Sequence, residues 1–239
     1  MPPPNSKEYP SEPTQGKLKW RPVLYKLAAT GFSHPEKAFA EDVKSGKFFA
    51  GMIEISHFFH LELQKDIEEA RESLIVKDSS ELLEELESEF VGLFLADLGG
   101  ARVNPFGSHY LDGRVMGESV DKVVSKYSES GMVKQESYHG QPDHISVELE
   151  YLYKLTQAAQ KPSLSEKNLS EHSEFYDELL RPWLEEFTEE VKTETELEFY
   201  SLLAEWTYKG LEADRKVIEK LLEDEQASEL ARKRKTTRG

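Results

Sequence analysis

Apolar side chains recur along this chain at steps of three and four residues. Met52, Ile55, Phe59, Leu63 and Ile67 form one such series, and Leu82, Leu86, Phe90, Leu93 and Asp97 form another, widened by Leu83 and Phe94. That spacing returns to one face of an α-helix and predicts two core helices. Asp78-Ser79-Ser80 offers caps ahead of the second, and Gly99-Gly100 is expected to end it. A further helix is predicted from about Glu118 to Ser130. Another begins at Asp143 and runs to about Gln160; Ile145, Leu149, Leu152 and Thr156 line one face, with His144, Glu148, Tyr151 and Leu155 beside them. Beyond Pro162-Ser163, Phe175, Leu179, Trp183, Phe187 and Val191 mark an acidic amphipathic helix, in which Pro182 predicts a kink or break near Arg181. Leu197, Tyr200, Leu203, Thr207 and Leu211 mark the next, and Ile218, Leu221 and Leu222 a last one. No alternating β pattern of useful length and no internal repeat appears, so the expected class is all-α.

Two stretches lack this periodicity. Residues 1–22 hold six prolines among polar residues and read as a flexible leader. The stretch 99–117, rich in Gly, Asn and Pro, is the longest internal loop, and long ordered loops in compact domains tend to carry function. It contains Phe106 and Tyr110, aromatics that are costly to expose unless they fold back or receive a partner.

The segment Gln141-Pro142-Asp143-His144-Ile145-Ser146-Val147-Glu148 concentrates the candidate chemistry. Pro142 fixes its own φ and biases Gln141 away from helix, so a preceding helix stops here. Asp143 is then expected to cap the new helix, its carboxylate accepting from Ile145 or Ser146 N–H at the positive end of the helix dipole. His144 and Glu148 lie one turn apart. The plain reading is a capped helix with a surface ion pair; the sharper one is a cleft between two helical lobes, with these groups inside it.

Other chemistry is weakly supported. His57 and His60, with Glu54 or Glu62, have zinc-like spacing but no third ligand, and the flanking Ile55, Phe58 and Phe59 favour ordinary packing. Ser108 and His109 are neighbours in sequence, which does not aim one at the other for proton transfer, and no nucleophile elbow surrounds them. The glycines at 99, 100, 107, 113 and 117 match no phosphate-binding fingerprint. Trp183 sits on a helix stripe, where a core role is the plain expectation.

At 239 residues the chain suits one large domain or two small lobes. No apolar run approaches the roughly 18 residues of a membrane span. The first residues lack the basic and apolar regions of a signal peptide, making the cytoplasm the default compartment. The absence of cysteine excludes disulfides, thiolate metal sites and a cysteine nucleophile. A net charge of −16 argues against nucleic acid and for a cationic or apolar partner. Arg232-Lys233-Arg234-Lys235 and Arg238 give the end of the chain a basic tail, expected to be solvated.

Three landmarks stand in order: Pro105-Phe106-Gly107-Ser108-His109-Tyr110, the Pro142-x-His144-x-x-x-Glu148 hinge with Asp143, and Leu180-Arg181-Pro182-Trp183-Leu184. In this the chain resembles the TorD/DmsD/NarJ family of redox-enzyme maturation chaperones, over roughly Val23 to Leu222. Gln141 departs from the acidic residue common there, and Phe106 stands where Tyr or Trp is frequent. The resemblance implies an all-α helical bundle of two loosely separated lobes joined by a hinge: 23–141, then 142–225, with 226–239 as the tail. It implies a cytoplasmic chaperone, not an enzyme, without a cofactor of its own. That chaperone binds the twin-arginine signal peptide or the immature catalytic subunit of a molybdopterin oxidoreductase, assists cofactor insertion and delays export. Weak guanine-nucleotide binding follows from the resemblance alone, while the hinge at Pro142 permits a domain-swapped dimer as well as a monomer.

The implied client-binding residues are Pro105, Phe106, Ser108, Tyr110, Pro142, Asp143, His144, Glu148 and Trp183. Exposed arginine pairs contribute about 0.2–1 kcal/mol each, whereas a micromolar complex needs about 8 kcal/mol net. Apolar contact is therefore expected to carry the affinity, with Phe106→Ala more damaging than Asp143→Asn. The alternative is a general acidic helical scaffold or assembly factor without signal-peptide binding, whose binding would fall strongly with salt.

Overall fold

The computed structural model describes residues 19–95, 100–132, 140–159 and 165–236. The leader up to residue 18, Asp97, Gly99, most of the loop before Pro142, Gln160 and Pro162-Ser163 lie outside them. All of the regular structure described is helical: α1 (Arg21–Gly31), α2 (Lys37–Lys44), α3 (Lys47–Phe59), α4 (Gln64–Ile75), α5 (Ser79–Phe94), α6 (Gly107–Asp112), α7 (Ser119–Glu129), α8 (Ile145–Ala159), α9 (Ser165–Phe175), a π-helical turn (Tyr176–Leu180), α10 (Arg181–Glu194) and α11 (Glu198–Thr236).

The expected helix through Met52 and Ile67 is two helices. All five residues of its stripe are buried, but the chain turns at His60, whose φ is 56°. Leu61 N–H reaches back to Ser56 O at 2.8 Å and closes α3 in the manner usually given to a left-handed glycine. A histidine there costs roughly 1 kcal/mol. The opposite happens at the C-terminus, where two predicted helices are one. α11 runs unbroken from Glu198 and continues through the basic residues read as a tail.

Pro182 does not break its helix. The missing N–H and the bulk of its ring are accommodated by the wider π turn just before it, leaving Pro182 in the first turn of α10, where no donor is needed. The Asp78 cap forms as expected, its Oδ1 accepting from Ser80 N–H at 2.9 Å and Glu81 N–H at 3.0 Å.

Packing crosses the chain. α1 lies mainly against α8, and α11 touches α1, α3, α4, α9 and α10, so one continuous apolar cluster spans residue 142. α1 also approaches α11 at Gly210, where an added Cβ would meet Leu24 at 2.7 Å. Beside that contact Arg21 Nε donates to Asp214 Oδ1 at 2.6 Å and Tyr25 OH to Asp214 Oδ2 at 2.8 Å, all three side chains being buried.

After α5 the chain is pinned before it reaches the 105–113 segment. Val103 N–H donates to Leu93 O at 2.8 Å, and Arg102 reaches Glu89 Oε2 at 2.9 Å and the Glu194 carbonyl at 2.6 Å. Glu89 in turn accepts from Thr195 Oγ1 and Glu196 N–H. This network fixes the loop's origin against the α10–α11 turn.

Candidate functional site

The two landmarks around Phe106 and Asp143 meet through their backbones. Ile145 N–H donates to Pro105 O at 2.8 Å and Gly107 N–H to Asp143 O at 2.9 Å, an isolated antiparallel bridge that pairs Phe106 with His144. Their rings follow, edge to face at 5.4 Å. Tyr127 from α7 donates to Pro142 O at 2.9 Å and holds the turn from the other side.

Asp143 caps a helix, but not its own. Its Oδ2 accepts from Ser108 N–H at 3.0 Å, in the first turn of α6, thirty-five residues upstream. The donors expected for it are taken elsewhere: Ile145 N–H by Pro105 O, and Ser146 N–H by His144 Nδ1 at 3.2 Å. Local capping gives way to a tertiary cap because the bridge turns α6 toward Asp143.

The short helix α6 is then anchored at three points. Ser108 is buried, and its Oγ accepts from Met116 N–H at 3.0 Å. Tyr110 OH lies 2.9 Å from Asn104 O and 2.6 Å from Glu190 Oε2, its one proton shared between the two acceptors. The Tyr110 ring stacks on Trp183, centroids 5.3 Å apart and planes 13° apart. Gly107 allows the close approach of α6 to α8 and α10, since a Cβ there would stand 2.9 Å from Trp183 Nε1 and 3.3 Å from Glu148 Oε1.

The electrostatics beneath α6 are unusual. Asp143, Glu148 and Trp183 are buried, at 0%, 1% and 0% exposure. Asp143 Oδ1, Glu148 Oε2 and Trp183 Nε1 all lack a hydrogen-bond partner among the described residues. Burial, and then the neighbouring Asp143, push the Glu148 carboxyl well above the usual range, which favours its protonated form. Burial lowers His144 to about 4 against the pull of Asp143, leaving a neutral ring at pH 7. The surface ion pair expected between His144 and Glu148 is therefore not formed: the His144 ring is neutral and Glu148 lies inside.

All nine residues singled out in the sequence gather at this junction. Gly107, Asn104, Tyr127 and Glu190 belong to it as well. Gly107 sat in plain view between Phe106 and Ser108; no local signal marks Glu190, which lies eighty residues from Tyr110. Elsewhere, His60 is exposed on a turn, and no group of three His, Asp or Glu able to hold a metal occurs among the described residues. Among them, too, no helix is long and apolar enough to cross a membrane.

By its family, this all-helical protein is a chaperone of redox-enzyme maturation. Residues 59–189, more than half of the chain, match the family described as nitrate reductase delta subunit, and the chain belongs to that family, whose members are maturation proteins and not catalysts. It is 28% identical over 183 residues to the chaperone protein TorD of Colwellia psychrerythraea, covering 65% of this chain and 74% of that one. A crystal structure described as a redox enzyme maturation protein from Archaeoglobus fulgidus aligns over 87% of this chain and 99% of its own, at 22% identity and a TM-score of 0.48.

Proposed function

We propose that this protein holds the unfinished catalytic subunit of a molybdopterin oxidoreductase by an arginine-led, apolar N-terminal extension, on the cytoplasmic side and before export. The observation that carries the reading is the pair of carboxyl oxygens, Asp143 Oδ1 and Glu148 Oε2, buried beneath α6 without a donor. Such oxygens are expensive to leave unpaired, and a guanidinium offers them a planar set of donors. The apolar part of the extension would lie on Phe106 and the face of the Tyr110–Trp183 stack. Access requires α6 to lift, breaking the Ser108–Asp143 and Tyr110–Glu190 bonds; a helix of six residues has little of its own to hold it down.

Burial reverses the order of effects expected from sequence. Exposed pairs are weak, but removing one side of a desolvated charge pair costs about 2–5 kcal/mol. Asp143→Asn with Glu148→Gln should therefore weaken a synthetic Arg-Arg-leader peptide at least about thirtyfold, more than Phe106→Ala does. Capture also expels the Glu148 proton, so affinity should rise with pH and calorimetry in buffers of different ionisation enthalpy should detect a released proton. Equal affinity in wild type and double variant, or no binding of the peptide to either, removes this reading.

A further inference from the structure

A second site lies away from the junction, where the His60–Glu62 turn faces the middle of α11 across a cavity of about 840 Å³. Its floor is apolar: Phe59, Leu61 and Val217 are buried, and Ala213 adjoins them. Its rim is cationic. Lys209, Lys216 and Lys220 project from one face of α11. Lys209 is occupied by Glu205 at 2.6 Å, but Lys216 and Lys220 have no ion-pair partner among the described residues. On a chain with 46 acidic against 30 basic residues, lysines left unpaired beside an apolar floor stand out. Two carboxylates share the site. Glu62 is exposed on the turn, and Glu212 is bound by Arg181 Nε at 2.8 Å and Tyr176 OH at 3.0 Å, so it does not neutralise the rim. The side chain in the left-handed position of the facing turn is His60, where glycine would be free of strain.

We propose that this groove docks an acidic amphipathic segment of a partner protein, its apolar side chains on Phe59, Leu61 and Val217 and its carboxylates on Lys216 and Lys220. Those two lysines are one helical turn apart, a spacing that matches carboxylates one turn apart on a helix. A polyphosphate is the poorer fit. The lysines come from the middle of α11, where backbone N–H groups are already used, and the other wall is the C-terminal end of α3, whose carbonyls repel anions.

The test uses the full chain and a fluorescent, helix-forming peptide with leucines on one face and glutamates one turn apart. Fluorescence anisotropy should show binding that Lys216→Glu with Lys220→Glu weakens by about tenfold or more, and that added salt weakens in wild type. All of these changes are on exposed positions, and unchanged thermal unfolding shows that the variant is folded; Lys216→Ala with Lys220→Ala should give a smaller loss in the same direction. Binding indifferent to charge reversal overturns the proposal, as does no binding. So does displacement of the peptide by GTP or pyrophosphate at lower concentration than by unlabelled peptide, which would make this a phosphate site. Sedimentation showing concentration-dependent self-association, lost in the charge-reversed variant, would make the occupant a second copy and overturn it too.

Discussion

Asp214→Ala should lower the unfolding free energy by about 3–5 kcal/mol, measured by urea denaturation at pH 7. Against a typical total of about 5–15 kcal/mol this is a large share. Asp214 is fully buried and satisfies Arg21 and Tyr25 together, each bond linking α1 to α11. Without it Arg21, 1% exposed, keeps its charge in a medium that cannot solvate it; one of its terminal nitrogens already lacks a partner. His172 offers no relief, since its ring is 3.9 Å from Asp214 and held neutral by burial and by Arg21 itself. The defect is the stranded cation and not the missing contact, so Arg21→Met combined with Asp214→Leu should recover most of the loss. A single variant that unfolds within about 1 kcal/mol of wild type would mean that water reaches Arg21. The consequence for the site is indirect but definite. α1 is the main support of α8, and α8 carries Glu148 and begins two residues after Asp143.

The difference between what periodicity reveals and what it hides is visible in these elements. α5, α7 and α8 were legible because apolar spacing, capping residues and breakers are local properties, and α5 and α8 bury the faces their stripes predict. The turn at His60 was not. The stripe residues on both sides of it stay buried, so the pattern carries no mark of the break. The continuity of α11 was hidden for the converse reason: Gly210 lowers helix propensity locally, yet its missing side chain is what lets Leu24 pack against the helix. At the junction, sequence order brought these residues into view together, but their states are tertiary facts. Asp143 looks like an N-cap for its own helix and caps α6. Glu148 looks like half of a surface pair and is a buried acid. Arg21, placed in the Pro-rich leader by its neighbours, is buried against a residue 193 positions away.

Acid should destabilise the protein well before its carboxylates titrate, beginning near pH 6.5. Two histidines dictate the sign. In the unfolded chain each takes up a proton below about pH 6.5. In the fold His144 resists until about pH 4, and His172, buried between Arg21, Asp214 and the Tyr25 ring, resists further. Between those values the unfolded state binds more protons, so stability present above pH 6.5 is lost as the pH falls. For His144 the full interval amounts to about 3 kcal/mol at most, and His172 adds a loss of the same sign. Glu148 acts in the opposite direction. Its raised pKa gives stability that is complete below the ordinary carboxylate range and declines as pH rises above it, so Glu148→Gln should stabilise the fold at neutral pH. The carboxylates held low, such as Glu89 beside Thr195 and Arg102, lose their contribution only at lower pH. Urea titrations from pH 7 to pH 4.5 read the sum of these terms: His172→Gln should lower the slope by close to one proton, His144→Gln by a similar amount, and the two together should reverse its sign and leave the opposing contribution of Glu148. A slope unchanged in His172→Gln would mean that this ring is already charged or solvated in the fold, and the neutral environment assigned to the Arg21–Asp214 pair would be wrong with it.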